Sequence, residues 1–166
     1  VSVKFKTVKN KFPEMQERLQ ALNGKTIEVG CIQGGHTWLA AIHEYGCNIP
    51  VTPKMRAFLH YKGIHLNKNT TVIKIPERSF LRTGHDKSIN DVMDQIGLLL
   101  GQVVGGTMTE QQLLEAAGLL LSTKIKEYAT ELSKPPNSSF TVEEKGSSNP
   151  LVDTGAMIGG ISFRVK

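Results

Sequence analysis

The chain has 166 residues, 39% of them hydrophobic and 21% charged, with no repeat or low-complexity tract, which suits one globular domain with a modest core. Twenty basic residues against 15 acidic ones leave a formal charge of +5, compatible with an acidic partner such as nucleic acid but too mild to diagnose one. No apolar run is long enough for a membrane span, the opening VSVKFKTVKNKF is too polar for a signal peptide, and Cys31 and Cys47 form no disulfide framework, so a soluble product made in the cytoplasm with reduced thiols is expected.

Residues 1–8 alternate Val1, Val3, Phe5 and Thr7 with polar residues and predict an edge strand. A helix is expected from Phe12 to Leu22, with Pro13 in its first turn, Phe12, Met15, Leu19 and Leu22 on one face, and Asn23-Gly24 as its stop. Lys25–Ile32 reads as a strand that leaves through the turn Gln33-Gly34-Gly35. HTWLAAIHEYG then forms a short helix ending at Gly46.

The segment from Cys47 to Ile75 is punctuated by Pro50 and Pro53 and reads as a loop-borne helical turn followed by a strand, an extended hairpin in outline. Beyond it, Ile89, Val92, Met93, Ile96, Leu99, Leu100, Val103 and Val104 follow helical spacing, and Gly105-Gly106 breaks that helix. Thr107-x-x-Glu110 and Thr109-x-x-Gln112 are capping boxes for a second long helix running to about Leu132, with Leu114, Ala117, Leu121, Ile125, Tyr128 and Leu132 inward. SKPPNSS stops it, FTVEE reads as a strand, and Asp153 or Thr154 is expected to cap a short helix before a last strand over Ile161–Val165.

Four groups of residues invite a chemical reading. Cys31, His36, His43 and Cys47 are zinc-ligand types, but their intervals miss the usual paired spacing, and His36 and His43 would stand about 10.5 Å apart along a helix. No metal and no cofactor is therefore expected. His43-Glu44 is an adjacent pair whose side chains diverge on a helix, which places them at the surface, and no nucleophile elbow, zincin or phosphate-loop motif occurs, so no catalytic residue is assigned. In IPERSFLRTGHD, Arg78 and Arg82 could fork onto phosphates, but the plainer expectation places them on an exposed helical face while Phe80 and Leu81 enter the core.

Finally, LVDTGA (Leu151, Asp153, Thr154 and Gly155 within it) matches the signature around a catalytic aspartate of retroviral-type aspartic proteases. That chemistry needs a second carboxylate, a flap and further strands, and the residues from Ala156 to Lys166 are expected to be too few to build them.

Taken in order, AAIHEYG, KMRAFL, IKIPERSFLR and KPPNSSFTVEEKGSSNPLVDTGAMIGGISFRV resemble the neck and tail-completion proteins of long-tailed bacteriophages, including the Mu-like virion-morphogenesis group. The residues carrying the likeness are Glu44, Tyr45 and Gly46, then Pro76, Arg78, Phe80, Leu81 and Arg82, then Leu151, Asp153, Thr154 and Gly155. Ser79 departs from the family pattern, where a second proline is usual, and Gly159-Gly160 stands where larger or polar residues are expected.

The resemblance implies an α+β fold of one domain spanning 1–166: a small antiparallel sheet packed against two or three helices, with long assembly loops over about 47–75 and 133–150. It implies a structural virion protein without catalysis, forming a sixfold ring at the head-tail junction and docking connector, terminator or tail-tube proteins. The alternatives are a tail terminator, or a basic protein that sets Arg56, Lys62, Arg78 and Arg82 on the phosphates of phage DNA, as a ring around a DNA channel could.

Overall fold

The computed structural model describes residues 9–32 and 34–166, so the edge strand expected over 1–8 and the side of the turn at Gln33 lie outside the described residues. The fold is α+β, as expected, with seven helices among the described residues: α1 Phe12–Ala21, α2 Thr37–Tyr45, α3 Pro53–Tyr61, α4 Phe80–Gly105, α5 Glu110–Glu131, α6 Ser139–Lys145 and α7 Ala156–Gly159. The strands β1 Ile27–Cys31, β2 Cys47–Pro50, β3 Val72–Ile75 and β4 Ile161–Val165 make two antiparallel pairs rather than one sheet. In the first, Ile27 lies opposite Val165 and Cys31 opposite Ile161; in the second, Cys47 lies opposite Ile75 and Pro50 opposite Val72.

The long antiparallel hairpin of α4 and α5 is the frame, and α5 in turn lies across β1 and β4. Its turn needs Gly106 in the left-handed region, φ 78°, which closes α4 onto the Val103 and Gln102 carbonyls. Of the two capping boxes expected at α5, the structure uses the second. The Thr109 hydroxyl accepts from the Gln112 amide at 3.2 Å, and the Gln112 side chain accepts from the Thr109 amide at 2.9 Å.

Helix α4 begins at Phe80, where reading IPERSFLRTGHD as a helix start with Phe80 and Leu81 in the core puts it, and runs without a break into the Ile89–Val104 stripe; beyond Phe80 its inward positions in the first turns are small residues. Phe80, Gly84, Ser88 and Val92, each four apart, are all buried. At Gly84 an added Cβ would stand 3.2 Å from the Tyr128 ring and 3.4 Å from Ile125 Cα, so the two helices approach too closely for larger side chains. Helix α5 repeats the device: Leu113, Ala117, Gly118, Ser122, Ile125 and Ala129 are buried, and a Cβ at Gly118 would lie 2.2 Å from the Phe163 ring of β4. Met93, expected inward, is 55% exposed, and Leu114, Leu121, Tyr128 and Leu132 are only half-buried.

Two further expectations are corrected. FTVEE is not a strand but the body of α6: Ser138 accepts from the Thr141 amide at its start, and Gly146, φ 65°, ends it, so local capping overrides the β-branched composition. At the C-terminal corner α7 starts after Gly155, φ 80°; of the two residues expected to accept from its first amides Asp153 caps nothing, while the Thr154 hydroxyl does accept from the Ala156 amide, two residues on, at 3.3 Å. In α1 the expected face is only partly covered, with Met15 and Leu22 half-buried and Phe12 and Leu19 exposed. The core gathers Cys31, Ala40, Phe80, Ile125, Ala129, Leu151, Met157, Ile158 and Ile161 where α2, α4, α5 and the C-terminal corner meet β1 and β4.

Residues 47–75 form an arm. Strands β2 and β3 pair with each other, α3 is carried between them, and none of the three packs substantially on any other element. The segment is thus more regular than a loop-borne turn: α3 is nine residues long, begins with Pro53 in its first turn and is capped by Thr52, whose hydroxyl accepts from the Met55 amide at 3.1 Å.

Candidate functional site

Where α2 ends, the chain packs against the start of α4, and the residues that the sequence places far apart form one polar junction. The first turn of any helix leaves its amides without partners. At α4 the preceding Ser79 makes no side-chain cap. Glu44 from α2 supplies it instead: one carboxylate oxygen accepts from the Leu81 amide at 2.8 Å, and the other from the Arg82 amide at 3.0 Å and from Arg82 Nε at 2.9 Å. Glu44 is 2% exposed, so the surface position expected for it is corrected. The anion sits where the helix dipole is positive and three donors converge, which is how a buried carboxylate is tolerated.

The Arg82 guanidinium extends this junction. It donates to the Glu44 carbonyl at 3.0 Å and to Glu77 at 2.6 Å, and lies 4.8 Å over the ring of Tyr45. Those two hydrogen-bonded carboxylates raise its pKa above the usual guanidinium range. Gly46 completes the motif. Its φ is 72°, and a Cβ there would fall 2.9 Å from both the Glu77 amide nitrogen and the Ile75 carbonyl oxygen, so only glycine lets the two segments pass. Pro76, half-buried, follows directly on β3 and cannot extend its ladder.

Of the two arginines expected on an exposed face, Arg82 is exposed, its side chain at 51%, but Arg78 is not. It is 4% exposed, and its amide donates to the His43 carbonyl at 2.7 Å. Its side chain donates to the Pro135 and Pro136 carbonyls at 2.8 and 3.1 Å and to Asn137 Oδ1 at 3.1 Å, and meets His43 Nδ1 at 3.3 Å. Burial pulls its pKa down, but five donors against four acceptors keep it the natural charged hub of this loop. Beneath it, Phe80 is fully buried, Leu81 packs against the core, and Leu151 is 4% exposed.

The third motif segment is fixed by a residue outside it. Asn149 Oδ1 accepts from the Leu151 and Val152 amides at 2.8 and 3.1 Å, and its amide nitrogen donates to the Thr130 carbonyl at 2.5 Å, tying the corner to the end of α5. Sequence reading missed Asn149, although an asparagine before proline is a turn signal. Asp153 and Thr154 are exposed. No cluster of three or more His, Cys, Asp or Glu side chains that could hold a metal occurs among the described residues.

Of the four cations considered for DNA, three are spent inside the protein. Arg56 donates to the Leu66, Asn67 and Thr70 carbonyls at 3.3, 3.0 and 2.6 Å and so staples the arm's loop onto α3, while Arg78 and Arg82 serve the junction. Lys62, at the end of α3, is exposed. No helix among the described residues is long and apolar enough to cross a membrane.

The arrangement holds segments together; its carboxylate and guanidinium groups face each other and backbone amides. Against known proteins, the chain matches no family model, no curated protein and no solved structure.

Proposed function

We propose that this chain is a structural subunit of the head-tail junction of long-tailed bacteriophages, completing or capping the tail as a ring of identical copies and docking connector, terminator or tail-tube proteins. The observation that carries the reading is the arm. It is a folded projection, internally bonded through β2–β3 and Arg56, that covers little of the body and leaves Phe58 58%, Tyr61 85% and Val72 47% exposed. Large apolar side chains on a projecting element suit burial by a partner, because a monomer gains nothing by exposing them together.

A second support is the way residues of the three motif segments, Glu44, Arg78, Phe80 and Leu151 among them, are buried around one junction by packing or hydrogen bonds. On this reading the subunit catalyses nothing. Weak contacts at each arm add up once a ring closes, since each further contact becomes effectively intramolecular. The nucleic-acid reading gains no comparable support, with three of its four cations engaged internally.

The test is deletion of the gene from the phage that carries it, followed by electron microscopy of the lysate. Filled heads beside separate, unstable or abnormal tails are expected. Normal infectious particles, or a lysate without packaged DNA, would sink the proposal.

A further inference from the structure

Beside the junction lies a cavity of about 280 Å³, lined by His36, His43 and Asn137 on one hand and by Lys145 and the corner Asp153–Met157 on the other. Arg78 determines what two of these side chains can offer. A guanidinium only donates. Its contacts therefore make His43 Nδ1 and Asn137 Oδ1 acceptors, at 3.3 and 3.1 Å. His43 is held neutral, its pKa down at about 4 through burial first, then Arg78, then Lys145, so its proton resides on Nε2 as a donor.

Asn137 is left with its Nδ2, and that nitrogen is buried with no hydrogen-bond partner among the described residues. An orphaned buried donor is costly unless something supplies an acceptor. Lys145 adds a third donor: its ammonium gives two bonds, to the Asn149 and Pro150 carbonyls at 3.2 and 3.3 Å, and has a third proton to give. Of the other polar groups at the cavity, Thr141 is engaged with Ser138 and Thr154 with the Ala156 amide. Among the described residues lining the cavity, the exposed Asp153 is the one carboxylate; burial lowers the Lys145 pKa, while Asp153 acts to raise it and Arg78 to lower it. Leu39, Leu151 and Met157 provide apolar wall.

We propose that this cavity binds a carboxylate carried on a short apolar body, held by the Asn137 amide, the His43 Nε2–H and the Lys145 ammonium. The same chemistry comes from a free small carboxylic acid or from the acidic side chain or C-terminus of a docked protein segment. The inference stands apart from the neck reading, since either ligand source can be present on a protein of any role.

NMR titration of the full chain decides it. Butyrate should shift the Asn137 side-chain amide and His43 ring signals saturably, while butyramide, equal in shape and uncharged, should bind about tenfold or more weakly, the worth of one charge-assisted hydrogen bond. Lys145→Gln and Asn137→Leu should each weaken butyrate by a similar factor; the lysine variant, checked for an otherwise unchanged amide spectrum, guards against Asn137→Leu disturbing Arg78. An acetyl-Ala-Glu-amide peptide and an acetyl-Ala-Leu peptide with a free C-terminus separate the sources: either binding more tightly than butyrate assigns the site to a protein segment, and the reverse order to a free acid. Equal binding of butyrate and butyramide, shifts that never saturate, or undiminished affinity in both variants would overturn the proposal.

Discussion

The junction at the start of α4 and the arm from β2 to β3 use the same side-chain types to opposite ends. At the junction, Glu44, Arg78 and Arg82 bind partners supplied by different elements, 35 to 58 positions away for the bonds of Arg78 to His43 and Pro136 and 37 or 38 for those of Glu44. In the arm, Arg56 reaches only carbonyls 10 to 14 positions on, and Phe58, Tyr61 and Val72 are exposed. Long-range polar bonds lock one arrangement of the body. Local ones stiffen a projection and leave its surface for something else.

The sharpest way to break the junction is Glu44→Ala, which strands two helix-start amides and one face of Arg82 in a buried site; a loss of about 3 kcal/mol is expected in chemical denaturation. Arg82→Ala should cost only about 1 kcal/mol, because half of that side chain stands in solvent. If the two losses are equal, the cap is not the origin of the effect. Arg56→Ala is expected to cost a similar 1 kcal/mol or so but confined to the arm: hydrogen exchange should quicken over 62–71 while α4 and α5 keep their protection.

His43 gives a pH-dependent version of the same contrast. Its folded pKa of about 4 lies below the ordinary 6.5, so between those values the unfolded chain binds a proton that the folded chain refuses. Its contribution is therefore complete above about pH 6.5 and is lost as pH falls towards 4. The His43→Gln variant should show a shallower decline in that window, read as melting temperature against pH for both proteins. The smallest stability effects are expected on the surface: Phe58→Ser with Tyr61→Ser should change stability by less than about 0.5 kcal/mol and, on the proposed neck role, abolish complementation of a deletion phage. Asp153→Asn should be nearly silent in melting, since Asp153 caps no helix.

What could be read from the chain follows the same division between local and long-range causes. The Thr109–Gln112 box, the Gly46 stop and the Pro13 start are written in adjacent residues, and α1, α2 and α5 lie close to where those signals put them. At α4 the start is marked by Phe80 and Leu81, but the turns between them and Ile89 show no periodicity, because Gly84 and Ser88 carry no hydrophobic signal while lying in the core stripe. α6 was misread because Thr141 and Val142 favour strands, against the weaker marks of Ser138 and Gly146.

The candidate site divided likewise. Family resemblance singled out Glu44, Arg78 and Arg82, but no local pattern could show that a glutamate on one helix caps another. Adjacent-residue reasoning put Glu44 at the surface, since it sees which way side chains diverge on a helix and not which neighbour arrives opposite.

The arm leaves the body at Cys47 and returns at Ile75, two residues paired directly across the hairpin. To the rest of the molecule, everything between them is a detour whose entry and exit coincide. Its length, its helix and its exposed face can therefore be rewritten, in a laboratory or over generations, with the scaffold registering only whether those two strand ends still meet. On the docking role proposed for the arm, a partner that changed would select on this detour, while the glycine and the glutamate beside its root stayed as they are.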